Sequence, residues 1–83
     1  MKTVRYSHQA DAALAKMGHA QAARIEAKID QYAADPASLA NNVKALRGTP
    51  VLRLRVGDYR VIFTDEMVVL DILAIGHRRE VYD

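Results

Sequence analysis

The sequence predicts an α+β fold: an N-terminal strand, a helical hairpin, and a small antiparallel sheet that the hairpin covers on one face. Three observations predict it. Residues 52–63 alternate apolar and charged around Gly57-Asp58, the period of a hairpin with one buried and one wet face. Apolar residues from Ala10 to Ala33 fall at helical spacing, interrupted at Gly18. A nearly continuous apolar run from Met67 to Ile75 reads as a central strand with both faces largely covered. With 83 residues, 51% of them hydrophobic, the chain suits one domain over 1–83 with one core.

Each element has a local reason. Lys2–Tyr6 is β-branched and aromatic, with Val4 and Tyr6 on one face, and is expected to be the first strand. Ser7 is placed to cap the helix that carries Ala10, Ala13, Leu14 and Met17. Gly18 is expected at its C-terminal end in the left-handed conformation. A second helix should run from about His19 to Ala34, with Ala22, Ile25, Ile29, Tyr32 and Ala33 inward, and end at Asp35-Pro36. Pro36–Pro50 reads as a connection, anchored by Leu39, Val43 and Leu46. In the hairpin, Gly57 supplies the positive φ, so Val56 should face Tyr59, Arg55 Arg60, Leu54 Val61 and Arg53 Ile62. A second turn is expected at Asp65-Glu66, which would set Val61 against Leu70 and Arg60 against Asp71. Gly76 should end the last strand, leaving a short polar tail.

Charge narrows the function. The net charge is only +2, yet Lys44, Arg47, Arg53, Arg55 and Arg60 lie within 17 residues against Asp58 alone. Arg53, Arg55 and Arg60 should share one sheet face, with two of them directly opposed. Like charges facing each other destabilise a sheet, so an anionic partner is the expected compensation: nucleic-acid phosphate or an acidic protein. Without cysteine there is no disulfide framework or thiolate metal site. His8, His19 and His77 show no ligand spacing with carboxylates, so no metal or cofactor is expected, and His8 and His19 read as surface residues. Tyr6, Tyr32 and Tyr59 fall on core faces. No stretch has the ~20 apolar residues of a membrane-spanning helix. The N-terminus lacks an apolar signal segment. A cytoplasmic protein without membrane contact is the expectation.

Three segments carry a family resemblance. Leu46-Arg47-Gly48-Thr49-Pro50, then Gly57-Asp58-Tyr59-Arg60, then Gly76-His77-Arg78-Arg79-Glu80-Val81-Tyr82 resemble the RelE/ParE superfamily of bacterial toxins, along essentially the whole chain. The resemblance implies the RelE-like fold, and its ending is similar to the RelE-like branch. For that branch it implies a toxin of a type II toxin–antitoxin system, cleaving messenger RNA in the ribosomal A site without a metal, through the RNA's own 2′-hydroxyl. It implies Arg60, Arg78 and Tyr82 as the catalytic set, with Arg53, Arg55, His77, Lys44 and Arg47 contacting RNA phosphates. Positions 53 and 55 depart from the family's usual lysines. Arginine keeps its proton at working pH, so these two suit clamping rather than general-base catalysis, and His77 remains a candidate base. A cognate antitoxin is the implied partner, with operator DNA reached only through it. The alternative is a ParE-like toxin that inhibits DNA gyrase without cutting RNA.

Overall fold

The computed structural model describes residues 2–79, so Tyr82 lies outside the described residues. The chain runs β1 (Thr3–Tyr6), α1 (His8–Lys16), α2 (His19–Ala34), a 3-10 segment (Pro36–Asn42), β2 (Val43–Ala45), β3 (Val51–Val56), β4 (Tyr59–Glu66) and β5 (Val69–His77). One five-stranded sheet has the order β1-β5-β4-β3-β2. All its pairs are antiparallel except β1, which lies parallel to β5.

Both helices cover one sheet face. Ile25, Ile29, Tyr32 and Ala33 of α2 and Ala10 of α1 are buried against Leu54, Val56, Val61, Phe63, Leu70, Ile72 and Ile75. Phe63 sits at the centre, its ring edge-on to Tyr32 at 5.0 Å. Burying each such side chain contributes ~1.5–3 kcal/mol. Among the described residues, no helix lies over the opposite face of the sheet.

Local signals explain the element ends. Ser7 Oγ accepts the Ala10 N–H at 3.1 Å, the expected N-cap, and donates to Leu73 O at 2.6 Å. Beyond β1, the Gln9 side chain takes over the edge of β5: it accepts the Ile75 N–H at 3.0 Å and donates to Ile75 O at 3.4 Å. Gly18 corrects an expectation. It is extended, at φ −60° and ψ 150°, and serves as the N-cap of α2, its carbonyl accepting the Ala22 N–H at 3.0 Å. The preceding Met17 is also extended, so two extended residues reverse the chain and no left-handed one is needed.

The connection holds more structure than expected. Pro36 opens the 3-10 segment, and Leu39, only 4% exposed, pins it to the core. Val43–Ala45 then pairs with β3 as an edge strand, Lys44 opposite Arg53. The Leu46–Pro50 motif is the turn of that hairpin, with Gly48 at φ +78° and Leu46 O accepting the Thr49 N–H at 3.2 Å. Three residues are too few to show strand alternation in a sequence.

The β3–β4 register is the expected one, Val56 to Tyr59, Arg55 to Arg60, Leu54 to Val61 and Arg53 to Ile62, around Gly57 at φ +59°. The β4–β5 register is not. Asp65 starts the turn rather than forming its middle: its Oδ1 accepts the Met67 N–H at 3.2 Å, and the reversal falls at Met67-Val68, with Met67 at φ +66°. An aspartate bonding to the backbone two residues ahead is the usual turn-opening arrangement. Val61 therefore faces Ile75 and Arg60 faces Gly76, with a bulge between Ile62 and Phe63. Asp71 sits opposite Thr64 and beside Arg5, whose Nε and Nη2 reach its two oxygens at 2.8 and 3.0 Å. The expected Arg60–Asp71 pair is thus replaced by Arg5–Asp71. Strand β5 also continues through Gly76 to His77, and its outer face is not closed, since Leu73 is 40% exposed.

Candidate nucleic-acid interface

The open sheet face carries a recess of about 240 Å³ lined by Asn41, Asn42, Lys44, Arg53, Arg55 and Arg60. Four cations come from three adjacent strands. Register places them: Lys44 on β2 faces Arg53 on β3, and Arg55 on β3 faces Arg60 on β4. Alternation then turns all four away from the helices, because Leu54, Val56 and Val61 take the buried side. Among the described residues, no carboxylate lines the recess. Arg60 is held over its own turn, Nη1 donating to Gly57 O at 3.3 Å and Tyr59 O at 3.2 Å.

The other expected site residues take three different positions. Arg78 is at the same end of the sheet, where its N–H donates to Asp58 O at 2.7 Å and its Nε stands 3.8 Å from Asp58 Oδ1. His77 is opposite Tyr59 and meets its ring edge-on at 5.6 Å, on the helix side of the sheet, where it does not line the recess. Its Nδ1 accepts the Arg79 N–H at 3.2 Å. Arg47 is exposed in the β2–β3 turn, at the far end of β3 from Arg55, and does not line the recess either.

Residues 4–82 match the family model described as the ParE toxin of type II toxin–antitoxin systems, parDE. The chain belongs to the RelE/ParE toxin superfamily. No match was found among curated proteins. Among solved structures, the archaeal RelE–RelB complex from Pyrococcus horikoshii is 28% identical, with a TM-score of 0.77 over 96% of this chain and 98% of that one. The Mycobacterium tuberculosis RelBE2 complex is also 28% identical, with a TM-score of 0.63 over 93% and 98% of the two chains. The intact Escherichia coli RelBE complex aligns at a TM-score of 0.74 over 93% and 96%, but at 21% identity that likeness is one of fold. No described helix of the toxin is long and apolar enough to cross a membrane.

Away from the recess, the toxin's shifted titrations have structural causes. The Arg5 partner holds the Asp71 carboxyl below the usual carboxylate range, mainly by hydrogen bonding. Burial first, then Asp30, Glu26 and Asp11, push the Tyr6 hydroxyl up to about 12. Burial and Asp65, which accepts the Tyr32 hydroxyl at 3.3 Å, raise Tyr32. Asn41 and Asn42 also line the recess, from within the stretch 36–50 that the sequence marks only as a connection. Their one signal was proximity in sequence to Lys44.

Proposed function

We propose that the toxin binds single-stranded RNA across this recess and cleaves it by metal-independent transesterification. One observation supports this above the others: two directly opposed cation pairs, Lys44–Arg53 and Arg55–Arg60, share one recess that, among the described residues, no carboxylate lines. A phosphodiester fits that arrangement. Guanidinium forks bind its non-bridging oxygens with two parallel bonds. They also neutralise the charge that grows as the 2′-oxygen attacks phosphorus and the bond to the 5′-oxygen breaks, leaving a cyclic 2′,3′-phosphate. Preplaced charge of this kind is commonly the largest contribution to such catalysis. Arg60, Arg78 and Tyr82 are the proposed catalytic groups, Arg53, Arg55 and Lys44 the phosphate clamp. Lys44 gives the recess its one amine, where positions 53 and 55 give guanidinium groups. His77 and Arg47 lie outside the recess and are peripheral contacts at most.

The likeness to the RelE chain of a RelE–RelB complex supports a cognate antitoxin as partner; messenger RNA on the ribosome is the target that the family resemblance implies. The family model's parDE description favours a second reading, inhibition of DNA gyrase. Induced expression separates them. Codon-phased cuts in primer extension, lost in Arg60→Ala and Arg78→Ala, are expected. Intact transcripts beside inhibited supercoiling would replace this reading with the second.

A further inference from the structure

We propose that Asn41 and Asn42 form a base-reading subsite, where one unpaired adenine docks edge-on while its flanking phosphates lie on Lys44, Arg53, Arg55 and Arg60. The inference rests on the RNA-binding reading above and adds to it a sequence preference and the residues that set it.

The two carboxamides line the same recess as the four cations. Among the described residues neither side chain makes a hydrogen bond, although Asn42 is half-buried. A carboxamide brings two donors and an acceptor, all unspent here. The segment carrying them is well held. Leu39 anchors it in the core, Ser38 Oγ donates to Asp35 O at 2.7 Å, and Gln31 on α2 donates to Ser38 Oγ at 3.0 Å. Val43 then locks into β2 opposite Leu54. Side chains on a segment fixed at both ends can discriminate between ligands, because their geometry is set before binding.

Size and chemistry choose the ligand. A recess of about 240 Å³ is below the ~300–1,000 Å³ that accommodates a drug-sized molecule, so it takes about one nucleotide and not a duplex. Unpaired RNA presents its base edges for reading, and duplex RNA does not. A carboxamide's neighbouring acceptor and donor match the amino group and ring nitrogen of adenine, which offers that pattern on both of its edges. Guanine's paired acceptors suit an arginine fork better than a carboxamide. The division of work is then clear: cations position the strand, and the amides read it.

The test uses the full chain from cell-free synthesis, with labelled 2′-O-methyl oligoadenylate, oligocytidylate and oligouridylate, which cannot be cleaved. Anisotropy titrations at several salt concentrations give affinity and salt slope. Wild type is expected to prefer oligoadenylate at least about fivefold, the lower end of the ~1–3 kcal/mol that a bidentate base contact contributes. Asn41→Ala with Asn42→Ala should bring that ratio close to one and leave the salt slope unchanged. Asn42→Asp, nearly the same shape without the amine donors, should also lower the ratio; it guards against a fold defect, as does the thermal midpoint of each variant. Arg55→Ala should weaken all three probes alike and reduce the salt slope by about 1. RNA binding whose base preference survives the asparagine changes overturns the subsite alone. Absence of binding to any probe, or equal competition by duplex DNA, overturns the RNA reading itself.

Discussion

The two ends of the open sheet face use the same residue types to opposite ends. On β1 and β5, Arg5 is matched by Asp71 through two hydrogen bonds, and beneath the same end Lys2 reaches Asp65 at 2.6 Å. On β2, β3 and β4, Lys44 faces Arg53 and Arg55 faces Arg60, and among the described residues no acid lines the recess between them. The β1–β5 end pairs its arginine with an acid within the fold, while the β2–β4 end sets like charges opposite each other across two strand pairs. A cation on a strand therefore says little about function until its neighbour across the sheet is known.

The comparison can be broken most severely at the β2–β4 end. Replacing Arg55 and Arg60 together by alanine should abolish growth arrest on induction and lower RNA affinity at least tenfold per arginine, about what a lost charged hydrogen bond costs. The thermal midpoint should change little, since relief of the repulsion offsets the loss of the Arg60 hydrogen bonds to Gly57 O and Tyr59 O. Arg55→Glu sharpens the contrast. It turns the contact with Arg60 into an opposite-charge pair, worth ~0.2–1 kcal/mol across strands. Urea unfolding should show that gain while toxicity disappears; a less stable variant would mean that the two arginines do not oppose each other.

The paired end and the helical side should respond differently. The Tyr6 phenol, raised to about 12 by burial, Asp30, Glu26 and Asp11, keeps its proton more firmly folded than unfolded. Its contribution is complete below the ordinary tyrosine value near 10 and is lost as pH climbs from about 10 to about 12. Tyr6→Phe should flatten that alkaline loss in thermal unfolding and leave growth arrest intact. Asp71→Asn is expected to have the smallest effect. The Asp71 carboxyl is held low by Arg5, so its contribution is present above the ordinary carboxylate range and fades as pH falls through the lowered value. The variant should lose a little stability at neutral pH, lose its dependence on pH in that acid window, and bind RNA as before. An RNA defect in Asp71→Asn would erase the distinction between the two ends.

What was legible in the sequence was what repeats over a short distance. The period of residues 52–63, with Gly57 at the turn, specifies the β3–β4 register to the residue and brings Arg53, Arg55 and Arg60 to one face. Ser7, the apolar stripe of α2 and Pro36 likewise mark their elements by local chemistry. The misreadings share a cause, since each depended on contacts between segments distant in sequence or on a choice among equivalent local conformations. Asp65 opens its turn while also holding Lys2, and the later reversal at Met67-Val68 sets Asp71 opposite Thr64 and, through the β1–β5 pairing, beside Arg5. Strand β2 exists only because β3 offers it an edge. By itself, then, the sequence determined the helices, the central hairpin and a shared face for three arginines, because hydrophobic period and turn stereochemistry act between near neighbours. The tertiary structure alone decided that Lys44 and two asparagines join those arginines while His77 does not, because strand pairing and a bulge set which distant residues meet.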